Sequence, residues 1–258
     1  MLSFFKLRRK PSTMLECVAK SGQGLVRKDN QDSFFIDPRS HVFAVADGMG
    51  GAQGGAEASS IVCKALSQAA AGCSNSFAKL MKRSSDAISL ANTEIREFAA
   101  AHSFRQMGST LVAMFVSPEN PSEAVIAHVG DSRAYRLRAG ALELLTHDHT
   151  IAGEISRRSS CRALADELSI AAGVLSHILT RAVGIENNVS PDWRKIEIHP
   201  GDLYLFCSDG VYDMADARDL ERILGEGGTL EDKSAALERT ILERGAHDNY
   251  TFILVKAA

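Results

Sequence analysis

The stretch VFAVADGMGG, residues 42–51, decides the architecture of this 258-residue chain. It begins with five apolar residues, a run typical of a strand buried on both faces. The run ends at Asp47, and Gly48 follows directly. A carboxylate at the end of a buried strand is costly when it is isolated from water, although Asp before Gly is also a common turn. A single case of this kind leaves both interpretations open.

The pattern of Asp47 recurs at three other apolar runs. These carboxylates are Asp131 after residues 124–129, Asp209 after residues 203–207 and Asp248 before residues 251–255. The preference of Asp for turns is a poor explanation of four such cases. Carboxylates gathered at one end of a β core repel one another unless a cation lies between them. Ligands that are all oxygen favour Mg²⁺ or Mn²⁺, and Arg27 offers a guanidinium fork that fits a phosphate group. The sequence therefore predicts metal-assisted hydrolysis of a phosphomonoester.

Composition excludes several other functions. The 29 Lys and Arg residues against 32 Asp and Glu give a net charge of −3, so we expect no nucleic-acid partner, because such partners need a basic face. No apolar stretch is long enough to predict a membrane span. The five cysteines are an odd count without a CxxC pair, which favours a reducing, cytoplasmic location. Residues 1–12 are predicted to be a short, basic and solvated N-terminal arm.

Hydrophobic periodicity predicts an α+β protein. Strands are expected at the runs given above and at 110–116, with weaker signals near 15–19, 32–36, 132–138 and 194–198. Apolar residues at helical spacing predict helices around 61–69, 77–98, 216–225 and 230–243. This order is not a regular βαβα alternation, so we expect helices packed on largely antiparallel sheets in one domain. Residues 150–177 fit neither pattern and are predicted to be an irregular insertion with a short helix around 162–169.

Eight motifs in order then resemble a known family. They are SGQGLVRKDNQD (21–32), DGMGG (47–51), MGSTL (107–111), VGDSRAYR (129–136), LTHDHT (145–150), LTRAVG (179–184), SDGVYD (208–213) and DNYT (248–251). Together they resemble the metal-dependent serine/threonine protein phosphatases of type 2C, especially the compact bacterial members. The resemblance implies a four-layer α-β-β-α sandwich with two central antiparallel sheets flanked by helices. It also implies a single catalytic domain over residues 13–258, with a variable flap at about 150–177.

The resemblance further implies a set of site residues around two Mn²⁺ or Mg²⁺ ions. Asp47 would bridge both ions, Asp209 and Asp248 would complete one site, and the Gly48 carbonyl would serve the other. Asp32 and Gln31 would hold metal-bound waters, Arg27 would bind the substrate phosphate, and Asp131 would share a weaker third ion with Asp209.

Two positions depart from the family pattern. Animal-type members carry a histidine two residues after the bridging aspartate, proposed as the general acid, and here the position is Met49. Methionine has no proton to give, so the leaving oxygen must take its proton from elsewhere. In the flap, Arg157, Arg158 and Arg162 are candidates for contacting a phosphopeptide, with a solvated polar loop as the alternative.

Two histidines resemble metal ligands without fitting the role. His147 and His149 flank Asp148. In an extended chain, successive side chains point to opposite sides, so the two histidines and the aspartate between them would not bind one ion well. We expect structural roles for both. His128, inside an apolar run, is expected to be a hydrogen-bonded core histidine.

The function predicted from the sequence is therefore a phosphatase for phosphoserine and phosphothreonine in proteins, acting by direct attack of a water activated between two metal ions. The resemblance to this family implies an opposing Ser/Thr kinase as a partner. We expect the protein to be a monomer. Two alternatives stay open: the same chemistry on small phosphomonoesters, and a non-catalytic phospho-binding regulatory module. The joint presence of Asp32, Asp47, Asp209 and Asp248 argues against the second, because decayed enzymes typically lose such a residue.

Overall fold

The computed structural model describes residues 3–6, 15–71, 76–158 and 175–258, and in these residues twelve strands form two antiparallel sheets. The strands are β1 (Ser3–Lys6), β2 (Leu15–Gly22), β3 (Asp32–Asp37), β4 (Val42–Met49), β5 (Gly108–Ser109), β6 (Leu111–Val116), β7 (Glu123–Val129), β8 (Arg133–Arg138), β9 (Ala141–Leu144), β10 (Asp192–Glu197), β11 (Leu203–Cys207) and β12 (Tyr250–Ala257). One sheet has the order β1-β2-β12-β11-β8-β9, and the other has the order β10-β7-β6-β4-β3 with β5 beside β4. Every predicted strand is confirmed.

Helices flank both sheets. They are α1 (Ala52–Ala70), α2 (Phe77–Ala101), α3 (Ile151–Arg158), α4 (Asp209–Tyr212), α5 (Ala217–Gly225) and α6 (Leu230–Glu243). At the starts of α2, α5 and α6, side-chain oxygens accept hydrogen bonds from the unpaired amides of the first turn. Ser76 caps α2 and Asp216 caps α5, while Thr229 and Asp232 form a reciprocal capping box at α6. None of the described helices combines the length and the apolar composition that crossing a bilayer requires.

Three apolar clusters separate four layers. The first, around Leu66 and Ile88, fills the space between α1, α2 and one sheet, and the second, around Phe43 and Phe206, lies between the sheets. The third, around residues such as Leu237, joins the other sheet to α5 and α6. Fully burying each such side chain stabilises the fold by about 1.5–3 kcal/mol. The predicted α-β-β-α sandwich is confirmed.

Two segments differ from their sequence interpretation. The irregular assignment of residues 150–177 is wrong for α3, which begins after Thr150. The Thr150 hydroxyl accepts from the Gly153 amide at 3.0 Å, and this local bond starts a helix whose glycine weakened the periodic signal. The predicted helix around 162–169 lies outside the described residues. At the N-terminus, Ser3–Lys6 of the predicted arm pair with β2 as an edge strand.

Candidate metal centre and phosphate site

The topology brings the predicted aspartates to one end of the sandwich. Strands β4 and β7 both pair antiparallel with β6, so they run parallel to each other and end on the same side. Asp47 and Asp131 lie at those ends. In the other sheet β11 and β12 are antiparallel, so the end of β11 and the start of β12 meet, which brings Asp209 and Asp248 together.

These residues line one cavity of about 560 Å³. The predicted site residues in its wall are Arg27, Gln31, Asp47, Gly48, Asp131, Asp209 and Asp248, and Met49 lines it as well. The sequence therefore identified the members of a single site, although they are spread over more than 200 positions of the chain. Their roles as ligands stay a prediction.

Asp32 lies behind this wall rather than in it. Asp32 is the first residue of β3 and lies directly opposite Asp47 in the β3–β4 register. Only 8% of its surface is exposed. One carboxylate oxygen, Oδ2, accepts from the Ser208 hydroxyl at 2.7 Å. The other, Oδ1, has no hydrogen-bond partner among the described residues. An orphaned buried carboxylate oxygen is expensive, so its position next to the cavity indicates that a further group belongs there.

Burial and mutual repulsion raise the pKa values of the clustered carboxyls. Burial, with Asp209 as a further repelling charge, raises the pKa of Asp32 to about 7 and that of Asp131 to about 8. Burial and repulsion from Asp248 raise the pKa of Asp209 to about 6. The pKa of Asp47 rises well above its ordinary value, through burial and then the charge of Asp32. The raised pKa values show that negative charge on these four neighbouring carboxyls is unfavourable in the metal-free protein. A divalent cation, which prefers oxygen ligands, would balance that charge.

Gly48 is required by a close approach of two backbones. A Cβ at this position would lie 1.9 Å from the carbonyl oxygen of Gly55, so no larger residue fits between β4 and α1. In the orientation that gives both its side-chain oxygen and its side-chain nitrogen suitable partners, Gln31 donates through Nε2 to the carbonyls of Gly48 at 3.3 Å and of Gly51 at 3.2 Å. The Gly48 carbonyl predicted as a metal ligand is therefore fixed at the cavity wall.

The arginines Arg181 and Arg27 both line the cavity, and of these two the one paired with a predicted metal ligand is Arg27. Its Nη2 donates to Oδ2 of Asp248 at 2.5 Å, and the Arg27 side chain is 50% exposed. The ion pair holds the guanidinium next to the predicted metal ligands, and its exposure leaves further N–H donors open to solvent. A phosphate group entering the cavity can be met by these donors.

Asn249 fixes the loop that carries Arg27. Its Nδ2 donates to the carbonyls of Gln23 at 2.8 Å and of Asp29 at 2.9 Å. Its Oδ1 accepts from the amide of Gln31 at 2.9 Å. One buried amide thus ties both ends of the loop to the residue after Asp248. The motif DNYT contained this asparagine, but no pattern in the sequence revealed its three bonds.

A different triplet was missed by the sequence interpretation. Ligand atoms of His177, Asp209 and Asp213 all lie within 4.8 Å of one another, the one such group of His, Cys and acidic residues found among the described residues. Asp213 belongs to the motif SDGVYD, which is the only sequence signal that could have found it. His177 falls in a segment with no helical or strand periodicity, so nothing local predicted it.

Of the three arginines predicted to contact a phosphopeptide, Arg157 is the one whose side chain the structure describes, and it does not line the cavity. Arg157 makes a long ion pair to Asp192, with Nη1 3.9 Å from Oδ2. Arg158 is the last residue of α3, and its side chain and Arg162 lie outside what the structure describes. The proposed contact of these arginines with a phosphopeptide stays a prediction.

The two histidines flanking Asp148 have local bonds. The ring of His147 bonds through Nε2 to the carbonyl of Gly153 at 3.0 Å, and the Nδ1 atom of His149 accepts from the amide of Gly130 at 3.1 Å. These structural roles agree with the sequence interpretation. His128 is buried as predicted, but the expected hydrogen bond is wrong, because neither ring nitrogen has a partner among the described residues.

Two antiparallel sheets, with clustered carboxylates and the arginines Arg27 and Arg181 lining a cavity at their end, form the arrangement expected of a metal-dependent phosphohydrolase. The model of the protein phosphatase 2C family matches residues 21–238, and the chain belongs to this family.

Named relatives cover nearly the whole chain. It is 31% identical over 246 residues to the serine/threonine phosphatase Stp of Listeria innocua, covering 92% of this chain and 94% of that protein. The structure of the Streptococcus agalactiae serine/threonine phosphatase matches with a TM-score of 0.84 and 29% identity, over 95% of this chain and 100% of that one. The catalytic domain of the phosphatase PstP, solved with two manganese ions, matches with a TM-score of 0.77 and 28% identity, over 95% and 98%. Family membership and the manganese complex together support divalent-metal dependence.

Proposed function

We propose that this chain removes phosphate from phosphoserine and phosphothreonine in proteins, using two divalent ions, Mn²⁺ or Mg²⁺. The observation that carries the proposal is the gathering of buried and half-buried aspartates with raised pKa values at one cavity that also contains Arg27. Such a cavity fits cations at its carboxylates and a phosphate dianion at its guanidinium. Relatives over most of the chain carry the name serine/threonine phosphatase.

The residues that would hold the ions are the carboxylates at the strand ends. Asp47, Asp209 and Asp248 are the proposed ligands of the two main ions, together with the Gly48 carbonyl, and Asp131 is the proposed ligand of a third. Such ions, when bound, act as Lewis acids and lower the pKa of water into the neutral range. Asp32, held by Ser208, and Gln31 are proposed to orient the waters around them.

Arg27 is proposed to bind and orient the substrate phosphate. Its fork of N–H donors can contact two phosphate oxygens at once, and its pairing with Asp248 keeps it beside the metal ligands. The half-exposed position of Arg27 makes the phosphate site reachable for a side chain on a protein surface. Met49 in the cavity wall has no proton to donate, so the leaving serine or threonine oxygen takes its proton from water or from another group.

The cellular setting follows from the same chemistry. A protein phosphatase needs a kinase that supplies its substrates, and an opposing Ser/Thr kinase is the proposed partner. The described cysteines Cys17, Cys63 and Cys207 are free and buried, which supports a reducing, cytoplasmic location. Apart from Leu25 and Val26 next to Arg27 and two isoleucines in the cavity wall, the large exposed apolar side chains described lie on separate elements, and we propose a monomer.

The test compares two substrates of different class with the purified chain. Phosphate release from a phosphothreonine peptide and from a sugar phosphate is measured with Mn²⁺ and again after chelation. Hydrolysis of the peptide that requires Mn²⁺ and exceeds that of the sugar phosphate by at least about tenfold in kcat/KM supports the proposal. Faster hydrolysis of the sugar phosphate assigns the chain to small phosphomonoesters instead. Tight peptide binding without any phosphate release makes it a regulatory module.

A further inference from the structure

A second groove, of about 970 Å³, lies outside the catalytic cavity. It runs between the start of α1, the end of α2 and the loop before β3. Two acidic side chains, Asp29 and Glu57, line it together with three ring side chains, Phe98, His102 and Phe104. None of its residues belongs to the predicted metal centre.

The three rings pack together around one stacked pair. The rings of Phe98 and His102 stack with centroids 4.0 Å apart at an interplanar angle of 20°. The ring of Phe104 lies beside this stack, with its centroid 6.3 Å from that of Phe98 and 6.4 Å from that of His102. Local backbone geometry builds this stack. Ser103 has a φ of 58°, a left-handed turn that ends α2 and returns the chain, and the Phe104 amide then donates to the Ala99 carbonyl at 2.9 Å.

His102 is fixed within the stack. Its Nδ1 bonds to the carbonyl of Phe98 at 2.9 Å, which holds its ring parallel to the neighbouring phenyl ring. Both Phe98 and Phe104 are half-buried, so part of each ring surface stays reachable from the groove. Aromatic faces carry negative electrostatic potential and attract cations.

The two carboxylates of the groove face solvent and are paired with no other side chain that the structure describes. Asp29 and Glu57 are exposed, and within residues 3–6, 15–71, 76–158 and 175–258 neither carboxylate takes part in a hydrogen bond or ion pair. Among the described residues, no lysine or arginine lines the groove. The groove therefore combines two negative charges with an aromatic stack, and its chemistry is complementary to a flat cation.

The groove adjoins the catalytic cavity along three segments. Residues 27–31 contribute to both, with Asp29 in the groove and residues on either side of it in the cavity. Gly51 lines the cavity and Gln53 the groove, while Gln106 lines the cavity and Phe104 the groove. Residues two apart lie at most about 7 Å from each other along the chain. A peptide with its phosphate in the cavity therefore reaches the groove within a few residues.

We propose that this groove binds an arginine side chain of the phosphoprotein substrate, located within about five residues of the phosphorylated serine or threonine. A guanidinium stacks on aromatic rings and pairs with carboxylates through its fork of donors, whereas an ammonium group does neither as well. The groove would thus select among phosphoproteins by a residue that does not take part in the chemistry. This inference rests on the proposed phosphatase activity.

The test uses phosphothreonine peptides that carry one arginine at successive positions on either side, with alanine in the matched peptide. For the native chain with Mn²⁺, we expect kcat/KM to be about tenfold higher for the best arginine position than for alanine. The double variant Asp29→Asn, Glu57→Gln is expected to lose this preference, and Glu57→Lys to reverse it. Hydrolysis of p-nitrophenyl phosphate, which has no peptide to reach the groove, should stay unchanged in these variants.

Controls separate the groove from the activity. Glu94→Gln, an exposed acidic residue on α2 outside the groove, should keep the arginine preference. Phe104→Leu keeps an apolar side chain but removes one ring, and should reduce the preference by about threefold. Equal kcat/KM for arginine and alanine at every position overturns the groove while leaving the phosphatase intact. No Mn²⁺-dependent hydrolysis of any substrate overturns the proposed function itself, and the groove assignment with it.

Discussion

Asp32 and Asp47 lie directly opposite each other across the β3–β4 ladder. Opposed residues of an antiparallel pair have Cβ atoms about 4.5–5.5 Å apart, and like charges in that arrangement destabilise a sheet. The sequence places two acids where the fold alone would prefer apolar or complementary residues. With Asp209 nearby, as the pKa shifts of both show, this pairing makes structural sense when a divalent cation balances it.

Metal binding is expected to release protons. Burial and neighbouring charges raise the pKa of Asp131 to about 8 and that of Asp32 to about 7, so the metal-free protein holds extra protons at neutral pH. A cation displaces them, and apparent Mn²⁺ affinity should therefore increase as pH rises from about 6 to about 8 and then level off. Calorimetric titration of the protein with Mn²⁺ in two buffers of different ionisation enthalpy measures the number of protons released. An affinity that is independent of pH would contradict the raised pKa values.

Arg27→Ala is expected to raise the KM for phosphopeptides by at least about tenfold, because a charged hydrogen bond to phosphate contributes about 1.5–3 kcal/mol. Arg27→Lys should recover part of the affinity, since it keeps the charge and loses the fork. Steady-state kinetics with a phosphothreonine peptide measures both variants. An unchanged KM and kcat in Arg27→Ala would remove Arg27 from the phosphate site.

Asn249→Ala is expected to loosen the loop that carries Arg27. The change removes three bonds, to Gln23, Asp29 and Gln31, so amide hydrogen exchange of residues 23–31 should speed up while kcat/KM falls by about tenfold. Asn120→Ala, in a turn distant from the site, is the matched control because its side chain also accepts a backbone amide. Slow exchange in residues 23–31 of Asn249→Ala would show that other contacts hold the loop.

Gly48→Ala is expected to destabilise the protein by at least about 1–3 kcal/mol, since the new Cβ would lie 1.9 Å from the Gly55 carbonyl oxygen. Gly225→Ala is the control, because nothing lies within 4 Å of its added Cβ and it ends a helix. Urea unfolding compares the two. Equal stabilities would mean that β4 and α1 can separate without cost.

The sequence predicted the strands and the aspartates at their ends, but it did not predict every residue of the candidate site. Buried runs such as residues 42–46 and 203–207 predicted strands correctly because their apolar character is continuous, and the aspartates after them are local signals. Asn249 and His177 could not be found in this way, because their partners are distant in sequence and become neighbours only in the fold. Helix α3 was missed because a glycine interrupts its periodic pattern.

The most direct test of the metal centre is anomalous diffraction from a crystal soaked in Mn²⁺, for the native chain and for Asp209→Asn, with phosphatase activity measured on the same preparations. We expect manganese peaks among Asp47, Asp209 and Asp248 in the native chain. In Asp209→Asn we expect a lost or weakened peak and activity reduced more than about 100-fold, while Asp86→Asn on the exposed face of α2 should keep both. Manganese bound only at His177 and Asp213, or near-native activity in Asp209→Asn, would contradict the proposed metal centre.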